Sequence, residues 1–507
     1  MPTQIVRLRG RNEEGMPYRS DFLDLRGGLN NAKSDELILP NELSDVSNYL
    51  PDIHKSGGLI KRNGLTAKST PQSEAITSVF DGVADNYFTT STSIRDLAGT
   101  SVDGSLTSST GPDWARFDDT NLGNIDIFVN GAEERRSANG TTWANVSNMP
   151  NFKYIEPFNR FLFGAGHDKG RVRWSNPEDV ETWDADNEII ITLDAENDIT
   201  GLMSFRNNLV IFAERSFHHI AGFDEKRMTL PFSSYEIGCT SHRSIVKCRH
   251  GLFWWSDQGL IWSPDGFNVF NPSLVKIPDT IRSLNKGQYT NVHGIWNPNL
   301  ECIQMYVHQG TSTTQDLMIS YYPGEINSQS VGSESRFGSF WVSRGDGVTM
   351  GASGVVKESG ENKIYIGSAA AAGKLFEQTG DDDVGSPIAA YFETQRESAK
   401  LGEEALKRSR RITALFIASG VPKATYGAYI DDSLSISESF DLSLTEAAFV
   451  LDVSKLDVTA LGIGTAPTRE EIGMRRRFRK IKHRISDTSQ FNTRSRGIIN
   501  KGFVLNA

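Results

Sequence analysis

The stretch HGLFWWSDQGLIWSPDG, His250–Gly266, holds two short apolar runs around a Ser-Asp-Gln-Gly corner. Large β-favouring residues on both sides of turn formers read as strand, tight turn, strand. The same reading fits NRFLFGAGHDKGRVRWS (Asn159–Ser175) and NNLVIFAERSFHHIAGFD (Asn207–Asp224). Counted from the first large apolar residue of each unit, Phe161 to Leu209 is 48 residues and Leu209 to Leu252 is 43. Weaker copies stand at Asn86–Thr92, Asn124–Gly131, Glu301–Gly310 with Asp316–Gly324, and Asn362–Ala369. A repeat of about 40–50 residues with this texture is the mark of β-propeller blades. One blade cannot cover its own apolar faces, whereas a closed ring covers each face with a neighbour. The chain is therefore expected to be all-β. Its body is a propeller of six or seven blades over residues 73–395, the last blade borrowing a strand from elsewhere.

Residues 1–72 read as an N-terminal arm. LDLRGGLN and GGLIKRNGL place two Gly-Gly-Leu punctuations about thirty residues apart. Between them Leu37, Leu39, Leu43, Val46, Tyr49 and Leu50 are spaced for a short amphipathic helix, opened by Pro40 and closed by Pro51. Leu29, Leu37, Leu39, Leu43, Val46 and Tyr49 are expected to form the contact face of a clasp that packs on the body or on a neighbouring subunit. Residues 396–507 are expected to form a β-sandwich-like or extra-sheet region whose last strand returns to the propeller or to a sheet edge.

The 507 residues carry a formal net charge of −10, which argues against a general nucleic-acid coat but leaves room for a local basic patch. Cys239, Cys248 and Cys302 are too few and too odd in number for a disulfide framework, which suits synthesis in a reducing cytoplasm. No window approaches eighteen apolar residues, and no secretory leader is read at the N-terminus.

Cys239, His242, Cys248 and His250, with His218 and His219 upstream, have the residue types of a zinc site. Their spacing fits strand and turn positions of blades better, so no metal is expected. SDQGLIW (Ser256–Trp262) is one residue short of the Asp-box turn of sialidase-like propellers and reads as a blade turn. GDDDVG (Gly380–Gly385) and Asp431–Asp432 read as solvated acidic turns rather than calcium loops. The phosphate-loop, dinucleotide, metalloprotease and nucleophile-elbow motifs are absent, and neither a catalytic residue nor a cofactor is assigned.

The strongest charge feature is Arg475, Arg476, Arg477, Arg479, Lys480, Lys482 and Arg484, with Phe478 and Ile481 interleaved. One reading is an edge strand whose charges block sheet-to-sheet aggregation. The other is a docking surface for an acidic partner subunit or for DNA phosphate.

GGLNNAKSDELILPNELSDVSNYLPDIHKSGGLIKRNGL, around Gly27–Leu65, resembles the opening of bacteriophage tail proteins of the nozzle or tail-tubular-B type, also called packaged-DNA stabilisation proteins. The resemblance lies in Gly-Gly-Leu-Asn and in the closing Gly-x-Leu-x-x-Arg-x-Gly, here Gly57, Leu59, Arg62 and Gly64. Gly170–Trp183, Leu209–Gly222 and Gly251–Trp262 are similar to blades of those proteins, and ETQRESAKLGEEALKRSRRI to the strand after their propeller. The resemblance implies a structural virion protein: a homohexameric ring below the portal and its adaptor. Such a ring lines and closes the DNA exit channel, docks fibres or spikes, and touches the genome without sequence preference. It is made in the host bacterial cytoplasm and works in the tail without a membrane span. The competing reading is a glycan-binding or sialidase-like propeller of a phage tail.

Overall fold

The computed structural model describes residues 16–22, 24–53, 58–107, 111–191, 197–222, 228–235, 237–323, 338–345, 348–398, 406–418, 423–443, 467–474, 476–489 and 493–504. The chain divides into two compact units. One is the propeller, Arg62–Ile388, and the other joins Met1–Lys61 to Ala389–Ala507.

The fold is all-β, and among the described residues the propeller has seven small sheets in chain order, antiparallel but for one parallel pairing of Asp383 with Leu65 in the last. Blades 1 to 4 are four-stranded, over 76–103, 113–145, 154–190 and 199–234. Blade 5 has three strands over 246–263, and a single bridge from Trp262 to Phe270 stands where a fourth would run. Blade 6 spans 293–344 and blade 7 begins at 350. The three hairpins that set the repeat are the second and third strands of blades 3, 4 and 5. They are the most legible pieces because their first-running strands, Phe161–Ala165, Asn208–Ala213 and Gly251–Ser256, are packed on both faces, so those apolar runs are nearly continuous.

Aromatic and aliphatic side chains fill each gap between blades. Trp114 of blade 2 stacks on Phe80 of blade 1 at 4.8 Å. Phe152 and Leu162 meet Ile125 and Ile127 between blades 2 and 3, and Phe163 and Trp174 meet Leu202 and Ile211 between blades 3 and 4. Phe212 and Trp254 lie 5.2 Å apart between blades 4 and 5, Phe253 and Tyr321 5.8 Å apart between 5 and 6. Tyr306 and Met318 pack on Ile364 and Ile366 of blade 7, whose Ala352 and Tyr365 pack on Ile76 and Phe88 of blade 1. The ring is closed by contact, and each fully buried large side chain contributes roughly 1.5–3 kcal/mol.

It is also closed by chain. The fourth strand of blade 7 is Leu65–Ala67 from the N-terminal segment, antiparallel to Leu375–Gln378. This is the borrowed strand. Just before it, the buried Arg62 guanidinium grips both oxygens of the buried Asp383 carboxylate, one at 2.9 Å, and donates to the Arg344 carbonyl at 2.7 Å. Gly64 follows because nothing larger fits: a Cβ there would stand 1.9 Å from the Asp382 carbonyl oxygen. The Arg and final Gly of the Gly-x-Leu-x-x-Arg-x-Gly run are thus the fastener of the ring.

The second unit is built from two sheets, of seven and six strands. The first runs Pro467–Ile472, Lys407–Ala418, Thr493–Val504, Leu59–Lys61, Tyr49–Pro51, with Met16–Phe22 paired to Thr493–Val504 and Arg477–Phe478 to Lys407–Ala418. The second runs Gly28–Leu29, Glu42–Ser47, Ala390–Thr394, Ile481–Asp487, Lys423–Ile430, Glu438–Ser443. Tyr49 meets Phe392 edge-on at 5.5 Å and Phe22 meets His483 at 5.6 Å across the sheets.

Several expectations need correction here. The arm is not a separate piece, since it and the C-terminal region form one unit; the unit boundaries fall after Lys61 and Ile388 rather than after 72 and 395. The segment around 42–50 is not a helix but two strands, Glu42–Ser47 and Tyr49–Pro51. A register shift between Leu43 and Asp45 turns Leu43 and Val46 to the same interior, and Asn48 breaks the strand at φ 60°. The bulge and the turn together mimic helical spacing. The last strand, Thr493–Val504, lies inside its sheet and not at its edge. The apolar run at 448–454 lies outside the described residues.

Replacing Gly64 by Ala should cost at least ~3 kcal/mol, because the Asp382 backbone cannot move without opening blade 7. Thermal melts compare the two proteins directly; a variant melting within about 2 °C of the parent, against several degrees expected for such a loss, would refute this account of ring closure.

Candidate functional site

The sequence offered two candidate surfaces, the N-terminal clasp and the basic run, and the second unit brings them together. In the turn between Leu29 and Leu37, Asp35 accepts from Lys482 Nζ at 3.0 Å and Glu36 from Lys480 Nζ at 3.2 Å. Lys482 also pairs with Glu393 at 2.8 Å, and Arg484 reaches the same carboxylate at 2.9 Å. The Tyr429 hydroxyl donates to it at 2.7 Å. Burial works against the Glu393 charge, but Lys482, Tyr429 and Arg484 outweigh it and hold its carboxyl below the usual range. The Arg396 N–H donates to the Asp35 carbonyl at 2.9 Å, and the Gln395 amide to the Glu36 carbonyl at 3.0 Å.

Lys480, Lys482 and Arg484 of the basic run are therefore spent on the protein's own carboxylates. Ile481–Asp487 is an interior strand between Ala390–Thr394 and Lys423–Ile430, so the edge-strand reading is overturned. Arg476 pairs with Glu438. Arg477 and Arg479 are exposed, and Arg475 lies outside the described residues. Of the clasp residues, Leu29, Leu43, Val46 and Tyr49 are buried, whereas Leu37 (69%) and Leu39 (44%) face solvent. The two leucines stand out because their turn is held from beneath by the ion pairs of Asp35 and Glu36.

In the propeller, polar groups converge on the axis from residues far apart in the chain. The connection between blades 4 and 5 makes a 3-10 turn, His242–Ser244. From it Arg243 donates to the carbonyls of Thr77 (3.0 Å), Gly351 (3.2 Å) and Asn291 (3.2 Å), which belong to blade 1, blade 7 and the approach to blade 6. Burial among these groups pulls its pKa down to about 10. His242 meets Asp113 of blade 2 at 2.8 Å and lies on the Tyr154 ring of blade 3 at 4.9 Å. A turn that reaches first strands on several sides of a ring can do so only at its centre, so Ser241–Ile245 occupies the axis.

The carboxylates there are already engaged. Asp113 accepts from the Ile155 and Trp114 N–H groups at 2.8 Å each, besides His242. Glu156 accepts from the Ser204 N–H (2.9 Å) and hydroxyl (2.5 Å), and its burial raises its pKa. Burial opposes the charged imidazole of His242, but the Asp113 carboxylate prevails and the His242 pKa is raised. The arrangement is a tie across the ring, with the nucleophile, base and oxyanion donors of a catalytic site not brought to a common point. The residues of this tie sit one per blade, about a repeat apart, which is why no local motif announces them.

The Cys/His set does not converge. Cys239 Sγ donates to the Ser241 carbonyl at 3.2 Å, Cys248 Sγ accepts from the His250 N–H at 3.4 Å, and His242 turns to Asp113. Among the described residues no three His, Cys, Asp or Glu side chains group as metal ligands. Ser256–Trp262 is the blade 5 hairpin, and Asp383 is the partner of Arg62. His293, in blade 6, is buried neutral: its Nε2 donates to the Met350 carbonyl at 2.9 Å, and Nδ1 accepts from the Ser353 hydroxyl at 2.7 Å. Burial pushes His293 down to about 3, and His218 and His219 to about 4.

No family model matches the chain, and no curated protein matches it. Among solved structures it is similar to the Neurospora crassa Pan2 WD40 domain, with TM-score 0.38 and 9% identity over 63% of this chain and 96% of that one. It is also similar to BBS1N in its complex with ARL6DN, with TM-score 0.40 and 8% identity over 67% and 99% of the two chains. A computationally designed protein, Ika8, gives TM-score 0.35 and 8% identity over 62% and 99%. These are likenesses of fold alone.

The buried histidines set a sign for acid stability. Unfolded chains take up these protons below about pH 6.5 and the folded chain does not, so stability is full above that value and falls as pH drops toward the folded pKa. His242 acts oppositely, stabilising below about pH 6.5 and losing its contribution as pH rises through its raised value. Melting from pH 7 to pH 5 should show the His293→Gln protein losing less stability than the parent, by roughly 2 kcal/mol at pH 5. Equal pH slopes for the two would contradict a buried neutral His293.

Proposed function

We propose that the chain is a structural subunit of a short phage tail, of the nozzle or tail-tubular-B type. It assembles as a ring of copies under the portal and adaptor, forms the wall of the DNA exit channel, and carries docking positions for fibres or spikes. The observation that carries this reading is the use made of the segment behind the resemblance. Gly27, Gly28, Asn30, Arg62 and Gly64 of Gly27–Leu65 each have a building role. Gly28 takes φ +74° and a Cβ at Gly27 would stand 2.5 Å from the Asn41 carbonyl oxygen. Asn30 donates to the buried Glu42 carboxylate at 2.8 Å. Arg62 and Gly64 fasten the ring. A motif devoted to construction suits an assembly protein better than an enzyme.

Charge supports the same reading. The propeller carries 26 Lys and Arg against 40 Asp and Glu, while the second unit carries 27 against 23. An acidic wall repels the phosphate backbone and lets DNA slide past. The axial tie also speaks against the glycosidase alternative, because the carboxylates at the propeller centre are committed to the protein's own donors.

Mass spectrometry of purified particles, with negative-stain imaging of the chain mixed with its adaptor, tests the proposal. Tail-bound copies and six-fold rings are expected. A chain absent from particles, or a purified monomer that cleaves glycans, would overturn it.

A further inference from the structure

The seven-stranded sheet of the second unit presents a basic outer face assembled from three distant parts of the sequence. Arg19 in Met16–Phe22 lies directly opposite Lys501 in Thr493–Val504, which lies directly opposite Arg411 in Lys407–Ala418. One position along, Arg408 lies opposite Arg477. The register shifts between Ser409 and Arg411, so Arg410 is the extra residue of a bulge. Directly paired residues point to one side of a sheet, and the alternate positions Lys407, Ser409, Ile412, Phe478 and Asn500 are buried. Arg408, Arg410, Arg411 and Arg477 are exposed on the other side; Lys501 is half-buried, and Arg19 keeps Asp21 at 2.7 Å.

Like charges placed directly across a sheet repel one another. In a chain of net −10 such a lattice is not a by-product of composition. The Arg19–Lys501–Arg411 row crosses three strands about 4.8 Å apart, which concentrates positive potential on a flat patch suited to an acidic protein surface.

The propeller supplies the complement. From Trp174 to Phe205 the sequence has nine Asp and Glu and no Lys or Arg. Part of this stretch is the outer edge of blade 3, Glu188–Ile190 being its outermost strand. Asp184 and Asp186 are exposed just before it, and Ile190 is 60% exposed within it.

We propose that the basic face around Arg408 and Arg410 docks on the acidic outer edge of blade 3, around Asp184 and Asp186, in a second copy of the chain. Two different surfaces meet, so each copy offers one and receives on the other. Such head-to-tail contacts generate a ring when the rotation between copies closes and a filament when it does not. The inference deepens the proposed tail function by naming the surfaces through which copies join, and it rests on that reading for the ring.

The full-length chain and two variants, Arg408→Glu/Arg410→Glu and Asp184→Lys/Asp186→Lys, test it by sedimentation at ~50 mM and ~500 mM salt, where screening separates surface charge effects. The parent should self-associate at low salt and dissociate at high salt. Each variant should associate at least ~100-fold more weakly alone. Mixing the two should restore association, because each then meets its charge-reversed partner; a contact within one chain would not respond to mixing. Unchanged melting temperatures exclude misfolding, and Arg408→Gln/Arg410→Gln replaces the first variant if it does not fold. Variants that assemble like the parent, mixing without rescue, or a parent that stays monomeric at low salt would each overturn the contact. So would an Arg408→Glu/Arg410→Glu protein that assembles normally but no longer retains duplex DNA. Presence of the chain in tails despite any of these results would leave the tail assignment standing, so the two readings fail separately.

Discussion

The ring depends on one buried ion pair and the glycine beside it. Arg62 and Asp383 are both almost wholly withdrawn from solvent, and their bidentate contact places the borrowed strand Leu65–Ala67 against Leu375–Gln378. Removing one partner of such a pair leaves an uncompensated charge and costs about 3–5 kcal/mol. A propeller needs such a device because its first and last blades are separated by the whole repeat array, and pairing them carries a large loop-closure cost. The pair gives a long-range contact a defined geometry where apolar packing alone would tolerate sliding. Lys61, the residue before, is buried too, with its ammonium 3.7 Å from Asp487 and 2.6 Å from the Ser489 carbonyl. Two adjacent cations are thus fixed in different units, and the chain passes from one unit to the other between them.

Inside the ring the same logic recurs at the axis. Seven first strands leave a polar centre in which backbone carbonyls face one another. Arg243 fills three of these acceptors with one planar donor group, a geometry a lysine could not supply. His242 and Asp113 add a charged contact to blade 2. The chain has used its axis for cohesion, so recognition is left to its outer faces.

The sequence disclosed whatever depends on local alternation. The central hairpins of blades 3, 4 and 5 were legible from Phe161–Ala165, Asn208–Ala213 and Gly251–Ser256, where burial on both faces makes apolar runs almost unbroken. Blade 5 lost a fourth strand without any change in that texture, because the bridge at Phe270 and the Ser273 hydroxyl on the Leu260 N–H serve its edge instead. The N-terminal segment misled for a physical reason. A bulge at Leu43–Asp45 followed by Asn48 sends Leu43, Val46 and Tyr49 inward at spacings a helix would also give. Charge misled differently: Lys482 and Arg484 look like a surface run until Asp35, Glu393 and Tyr429, from three other segments, are placed around them. Contacts made by residues hundreds of positions apart have no local signature.

The two units differ in what their surfaces can do. The propeller's excess of acid is spread over its blades, yet it is concentrated where blade 3 has acids and no bases between Trp174 and Phe205. The second unit engages Lys480, Lys482 and Arg484 of its basic run in ion pairs, and joins Arg477 of the same run to cations of Met16–Phe22, Lys407–Ala418 and Thr493–Val504. Arg408 and Arg477 stand opposite one another in the ladder, and like charges so placed repel. In the proposed contact an acidic surface of a second copy meets this face, and the chain itself displays such a surface. Opposite charges on different units of one chain favour association between copies over collapse of identical faces, because like faces repel. That asymmetry gives the chain a direction, which is what a closed ring requires and a two-fold dimer does not.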